Sequence, residues 1–140
     1  MTETPRERPL PAATKLLGWR LIEAKPDEGW IRVAFEAKPE FCNPTGAVQG
    51  GFLAAMLDDA MGAAVFMRAR AYPVTIDLHV QYLGSARPGE LIAEGRCIQV
   101  GKTIAFIEGS LVDPEGKLIA RATASGRLVS PEKVAARRSE

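Results

Sequence analysis

Near the start of the chain, two stretches, 18–24 and 30–37, read as strands separated by the turn residues Lys25-Pro26-Asp27-Glu28-Gly29. A short helical turn fits just before them, near 12–17. The segment 40–51 holds Asn43, Pro44, Gly46, Gly50 and Gly51, too many breakers for regular structure. From Gly51 to about Arg70 the period changes. Leu53, Met56, Leu57, Ala60, Met61, Ala64 and Val65 recur at i, i+3 and i+4, which marks one helical face. The other positions are mostly Ala, Gly, Phe or Met, so the predicted helix is apolar nearly all round and is expected to be buried on most sides. After Pro73 the period becomes two. Val74, Ile76, Leu78, Val80 and Tyr82 alternate with Thr75, Asp77, His79 and Gln81, the pattern of a half-buried strand. Turns at Arg87-Pro88-Gly89, Gly101-Lys102 and Asp113-Pro114-Glu115-Gly116 then delimit strands over 90–100, 103–112 and 117–129.

Two strands, one long helix and four strands joined by short turns predict an α+β domain with antiparallel pairing. A single helix buried on most of its surface needs a curved sheet wrapped around it, which is the hotdog architecture. Open sheet edges favour self-association. The domain is expected over 12–129, with a disordered leader at 1–11 and a charged tail at 130–140.

Composition narrows the function without naming it. The chain has 140 residues, enough for one domain with a real core. Its 18 basic and 17 acidic residues leave a net charge of +1, so nucleic acid and anionic membranes are not expected partners. Two cysteines, Cys42 and Cys97, and one histidine, His79, do not match a common zinc pattern, and no metal is expected. No uninterrupted apolar run reaches 18 residues, and the first ten residues, MTETPRERPL, lack the apolar region of a secretory signal. A cytoplasmic protein with reduced thiols is the expectation.

Candidate chemistry centres on the helix. Asp58 and Asp59 lie among Met56, Leu57, Ala60 and Met61, where a carboxylate is costly to desolvate unless it is paired or tuned for work. At about 100° per residue the two acids point different ways, so one can face a site while the other occupies a second environment. Gly50-Gly51 at the helix start allows close approach to the backbone. The first-turn N–H groups there are unpaired donors suited to a polarised carbonyl oxygen.

The stretch Asn43-Pro44-Thr45-Gly46-Ala47-Val48-Gln49-Gly50-Gly51, followed by Asp58, resembles the signature of PaaI-like hotdog thioesterases, related to 4-hydroxybenzoyl-CoA thioesterases. That pattern is an Asn, a Gly three on, His-Gly-Gly three further, and an Asp nine after the His. The departure is Gln49 in place of His, which can orient a group by hydrogen bonding but cannot titrate. The resemblance implies hydrolysis of an acyl-CoA thioester, with CoA as part of the substrate and no separate cofactor. It implies Asp58 as the carboxylate base or nucleophile and the Gly50 N–H as the donor to the thioester carbonyl. Asn43 and Gln49 would orient substrate or water, and Thr75 would support the carboxylate.

Gly50 and Asp58 are eight residues apart, about 12 Å along one helix. One thioester group cannot touch both, so a site shared between the subunits of a homodimer or homotetramer is expected. Arg87, Lys102 and Arg68, near turns or the helix end, are candidates for the CoA phosphates. His79 reads as a surface or interface residue, which disfavours a hotdog dehydratase, and no serine lies in a Gly-x-Ser-x-Gly elbow. The competing expectation is a non-catalytic acyl-CoA binder on the same scaffold, which Gln49 would permit.

Overall fold

The computed structural model of the chain describes residues 9–139. A short helix α1 (Ala12–Leu16) leads into strands β1 (Arg20–Lys25) and β2 (Trp30–Ala37). The long helix α2 (Gly50–Ala69) follows, then β3 (Tyr72–Tyr82), β4 (Gly89–Val100), β5 (Ile104–Val112) and β6 (Leu118–Val129), and a closing helix α3 (Pro131–Arg138). Between β1 and β2 the chain reverses through a 3-10 turn, with Gly29 at φ 62°, a left-handed conformation glycine takes without steric cost. The strands form one six-stranded sheet in the order β1-β2-β4-β5-β6-β3. All neighbours pair antiparallel.

Helix α2 carries the chain from β2, near one edge, to β3 at the other, and so crosses the inner face of the sheet. This is the hotdog arrangement of a central helix on a curved antiparallel sheet. Leu53, Met56, Leu57, Ala60, Met61, Ala64, Val65 and Met67 are buried. They pack into one core with Val33, Phe35, Leu91, Ile107, Leu111 and Ile119 of the strands. Cys42 and Cys97 are free thiols.

Two expectations are corrected. The first concerns α2, which is not buried on most sides within this chain. Gly51 and Ala55 are exposed, and Ala54, Asp58, Asp59, Gly62, Ala63 and Phe66 are half-buried. A sheet covers only one side of a helix lying on it, and the other side of α2, nearly as apolar, faces away. By length and composition α2 is apolar enough to cross a membrane, and its packing on the sheet accounts for much of that apolarity.

The second correction concerns β3. Its even alternation is broken by a bulge between Thr75 and Asp77. An extra residue reverses the facing of everything before it. Leu78 and Val80 pack on the core, whereas Val74 and Ile76 are 42% and 60% exposed and Thr75 turns toward α2. The segment expected as a charged tail is helical from Pro131 to Arg138. Ser130 caps it through Lys133 N–H, Pro131 opens it and Arg137 and Arg138 close it, each the residue type that position favours. Of the leader expected over 1–11, residues 1–8 lie outside the described residues.

Candidate active site

The loop before α2 is held by its own polar groups. Asn43 Oδ1 accepts hydrogen bonds from Thr45 N–H (2.9 Å), Thr45 Oγ1 (2.6 Å) and Ala47 N–H (3.3 Å). Asn43 therefore organises the turn in which Gly46 takes φ 83°. Val48 N–H donates to Ala86 C=O and Gln49 N–H to Phe41 C=O, and the Phe41 ring stacks on Phe52 at 4.1 Å. These ties place Gln49 as the residue capping α2, with its side chain making no capping bond and exposed. Phe52 and Leu53 N–H both reach Gln49 C=O. Gly50 and Gly51 occupy the first two helical positions, whose N–H groups have no acceptor within the helix.

Tyr82, which the sequence did not single out, closes this corner. Its hydroxyl donates to Gly50 C=O at 2.7 Å. Its ring lies 3.1–3.3 Å from where a Cβ on residue 50 would stand, so glycine at that position makes room for the tyrosine. A donor on Gly50 C=O polarises the peptide whose N–H belongs to Gly51, strengthening that N–H as a donor. The available signal was an aromatic residue at the end of a strand, which does not by itself point to a contact with residue 50.

Asp58 and Asp59 occupy separate environments. Thr75 Oγ1 donates to Asp58 Oδ1 at 2.8 Å, a contact made possible by the β3 bulge. Thr14 Oγ1, on α1, donates to Asp59 Oδ2 at 2.6 Å. Burial pushes the Asp59 carboxyl above its ordinary 3.8; the Thr14 hydrogen bond works the other way, and the neighbouring Asp58 charge adds to the rise.

Because folding raises this pKa, the folded chain binds more protons than the unfolded chain at pH values between 3.8 and the raised value. Stability therefore falls as pH climbs through that window, and the loss is complete above the folded pKa. Asp59→Asn keeps an acceptor for Thr14 and removes the charge. It should raise the melting temperature at neutral pH and flatten its decline above pH 3.8. Calorimetry across pH on both proteins checks this, and parallel curves would refute it.

The three candidate cations are not brought together. Arg87 follows Ala86, whose carbonyl is tied to Val48, and so lies at the start of α2. Arg68 is in the last turn of α2, where its guanidinium donates to Cys97 C=O at 3.1 Å. Lys102 lines a concavity with Ala69 and Arg70 at that same far end.

The family model of the Thioesterase superfamily matches residues 45–120. The chain belongs to this superfamily. Among its relatives is a Halobacterium salinarum protein named as a candidate esterase, 38% identical over 104 residues, or 70% of this chain and 68% of that protein. A solved candidate thioesterase from Ralstonia eutropha JMP134, described as phenylacetic acid degradation-related, superposes with a TM-score of 0.81 at 33% identity. That match covers 86% of this chain and 92% of the other. A Streptococcus mutans protein solved with acetyl-CoA bound shares the fold at a TM-score of 0.74 and 21% identity, covering 80% and 89%. The superfamily match includes Gly50, Asp58 and Thr75 and starts two residues after Asn43.

Proposed function

We propose that this thioesterase-superfamily chain hydrolyses acyl-CoA thioesters, with Asp58 as the carboxylate at the reacting centre. The observation that carries the reading is the half-buried Asp58 side chain, oriented by Thr75 on the helix whose glycine N-terminus offers unpaired N–H donors. The acetyl-CoA bound by the Streptococcus mutans protein of the same fold supports CoA as the carrier of the acyl group.

The Gly50 N–H, assisted by the Gly51 peptide that Tyr82 polarises, binds the thioester oxygen as it gains negative charge. Asp58 acts in one of two ways. As a base it takes a proton from water, whose oxygen attacks the carbonyl carbon; the C–S bond breaks and the CoA thiolate leaves and is protonated. As a nucleophile its oxygen attacks the carbonyl carbon directly; the C–S bond breaks, the CoA thiolate leaves and is protonated, and water then opens the resulting mixed anhydride to the free acid and the Asp58 carboxylate. In both, the products are a free acid and CoA.

Gly50 and Asp58 of one chain are about 12 Å apart along α2. Gly50 of one subunit would therefore act with Asp58 of a second, packed against the open side of α2. The same reading places the protein in the cytoplasm, where acyl-CoA is made and used.

A panel of acyl-CoA substrates with detection of released thiol tests the proposal. Binding without thiol release would favour the non-catalytic reading that Gln49 permits. Gln49 is exposed and able only to position, so Gln49→Ala should lower kcat/KM modestly, by about tenfold at most, the value of one weakened neutral hydrogen bond. Gln49→His should equal or exceed the parent. Abolition of turnover in Gln49→Ala would show that this side chain does more than orient.

A further inference from the structure

Gly62 lies in the interior of α2, one turn beyond Asp58. A glycine there destabilises a helix relative to alanine, because it has more backbone freedom to lose on folding. At other positions the packing of this chain calls for glycine. The Tyr82 ring fills the space beside Gly50, the backbone of α2 lies against Gly95, and the Met61 side chain reaches Gly109. Position 62 has no such neighbour. Among the described residues a Cβ there would meet only Pro73 Cγ, at 3.7 Å, an ordinary van der Waals contact. Alanine would fit within this chain and strengthen the helix.

Position 62 shares the open side of α2 with Asp58, and both are half-buried. Residues four apart on a helix are neighbours, with about 5–6 Å between their Cβ positions. The surroundings are hydrocarbon. Pro73 of β3 stands on one side. Phe66, one turn further along α2, is half-buried, and its ring stacks on that of Tyr72 at 4.6 Å. An acyl group suits such walls. The pantetheine arm of CoA does not, because its amides would lose hydrogen bonds to water against them.

We infer, on the hydrolase reading above, that Gly62 is a specificity-determining residue: it clears the space beside Asp58 for acyl groups with bulk next to the thioester carbonyl, branched at the α-carbon or carrying a ring there. The α-carbon is bonded to the carbonyl carbon at which Asp58, or the water it activates, forms the new bond. Its substituents therefore fall within a side chain's length of position 62. Glycine leaves them the helix backbone to lie against, and any side chain at 62 would take that volume first. A straight acyl chain needs less of it.

The test compares the full-length parent with Gly62→Ala and Gly62→Leu, both good helix formers. Thiol release is followed from two straight substrates, butyryl-CoA and hexanoyl-CoA, and two bulky ones, isobutyryl-CoA and benzoyl-CoA. The ratio of kcat/KM for the better bulky substrate to that for the better straight one should fall by about ten- to two-hundred-fold in Gly62→Ala, the range for one carbon too many in an apolar pocket. It should fall further in Gly62→Leu. Gly62→Ala should melt at or above the parent temperature, and its mass by light scattering should match the parent's. An unchanged ratio in both variants would overturn the inference. So would an equal fall on all four substrates, as expected if the room at position 62 holds the CoA arm or, with loss of mass, a second subunit. A lower melting temperature in Gly62→Ala would do the same, since the fold itself would then need the glycine. A parent that releases thiol from none of the four overturns the hydrolase reading and this inference with it, whereas an active parent with an unchanged ratio in the variants overturns this inference alone.

Discussion

Asp58→Asn should lower kcat by about 10²–10⁴-fold while leaving the fold intact. Asparagine has nearly the same size, and its Oδ1 still accepts the Thr75 hydroxyl that reaches Asp58 at 2.8 Å. What disappears is the charge that a base or nucleophile needs. The loss should fall on kcat and on kcat/KM together, because the missing interaction belongs to the transition state and not to substrate binding. Asp59→Asn is the control, since Asp59 is turned toward Thr14 and α1. It should keep most of the activity and, as argued above, gain stability at neutral pH. Steady-state kinetics on both, with melting curves, decide the matter. A near-parental kcat in Asp58→Asn beside a folded but inactive Asp59→Asn would move the catalytic role one residue along the helix.

The contrast between these two acids marks how far the sequence could be read. That they occupy different environments follows from helical geometry alone. Which environment each has depends on Thr14 and Thr75, 45 and 17 residues away, and no local pattern reports such contacts. In sequence both acids lie among the same apolar neighbours; in the structure burial raises the Asp59 carboxyl, on the side of α2 that Thr14 of α1 reaches.

The long helix and the six strands were legible because the period of apolar positions and the turn residues are both local signals. The β3 bulge was not, since 74–82 alternates evenly in sequence, and only pairing with β6 shows where the register slips. Helix α3 could have been found: Ser130, Pro131 and the closing arginines are the usual helix-end residues, obscured by the charge of the segment. The loop carrying Asn43 and the glycines was legible as one unit because its spacing is continuous. The contact of Tyr82 with Gly50 spans 32 residues and had no such trace.

Gly95→Ala should destabilise the chain by about 1–3 kcal/mol, the range for overpacking a filled interior. In sequence Gly95 is an unremarked glycine inside a strand. In the structure the backbone of α2 lies close against the sheet there. A methyl group there would stand 2.7 Å from Ala60 O, 3.0 Å from Ala60 C and 3.2 Å from Met61 Cα. All three are helix backbone atoms, which cannot swing aside as a side chain can. The helix must lift from β4, opening the core over Met56, Leu57 and Ala60. The gain from restricting the unfolded chain, about 0.4–1 kcal/mol, is too small to offset this.

Gly109→Ala, on the neighbouring strand, is the comparison. Its nearest contact is the flexible Met61 side chain, at 3.0 Å to Cγ and 3.2 Å to Sδ, with Glu94 O at 3.1 Å. The thioether can re-fold around a methyl, so the cost should be smaller. Chemical denaturation of the two variants gives the order directly. Because Asp58 stands two residues before Ala60 on the helix that must move, Gly95→Ala should also lower kcat under conditions where it is fully folded. Parental stability in Gly95→Ala, or a larger loss in Gly109→Ala, would mean that α2 does not rest on the sheet at Gly95 as closely as the structure places it.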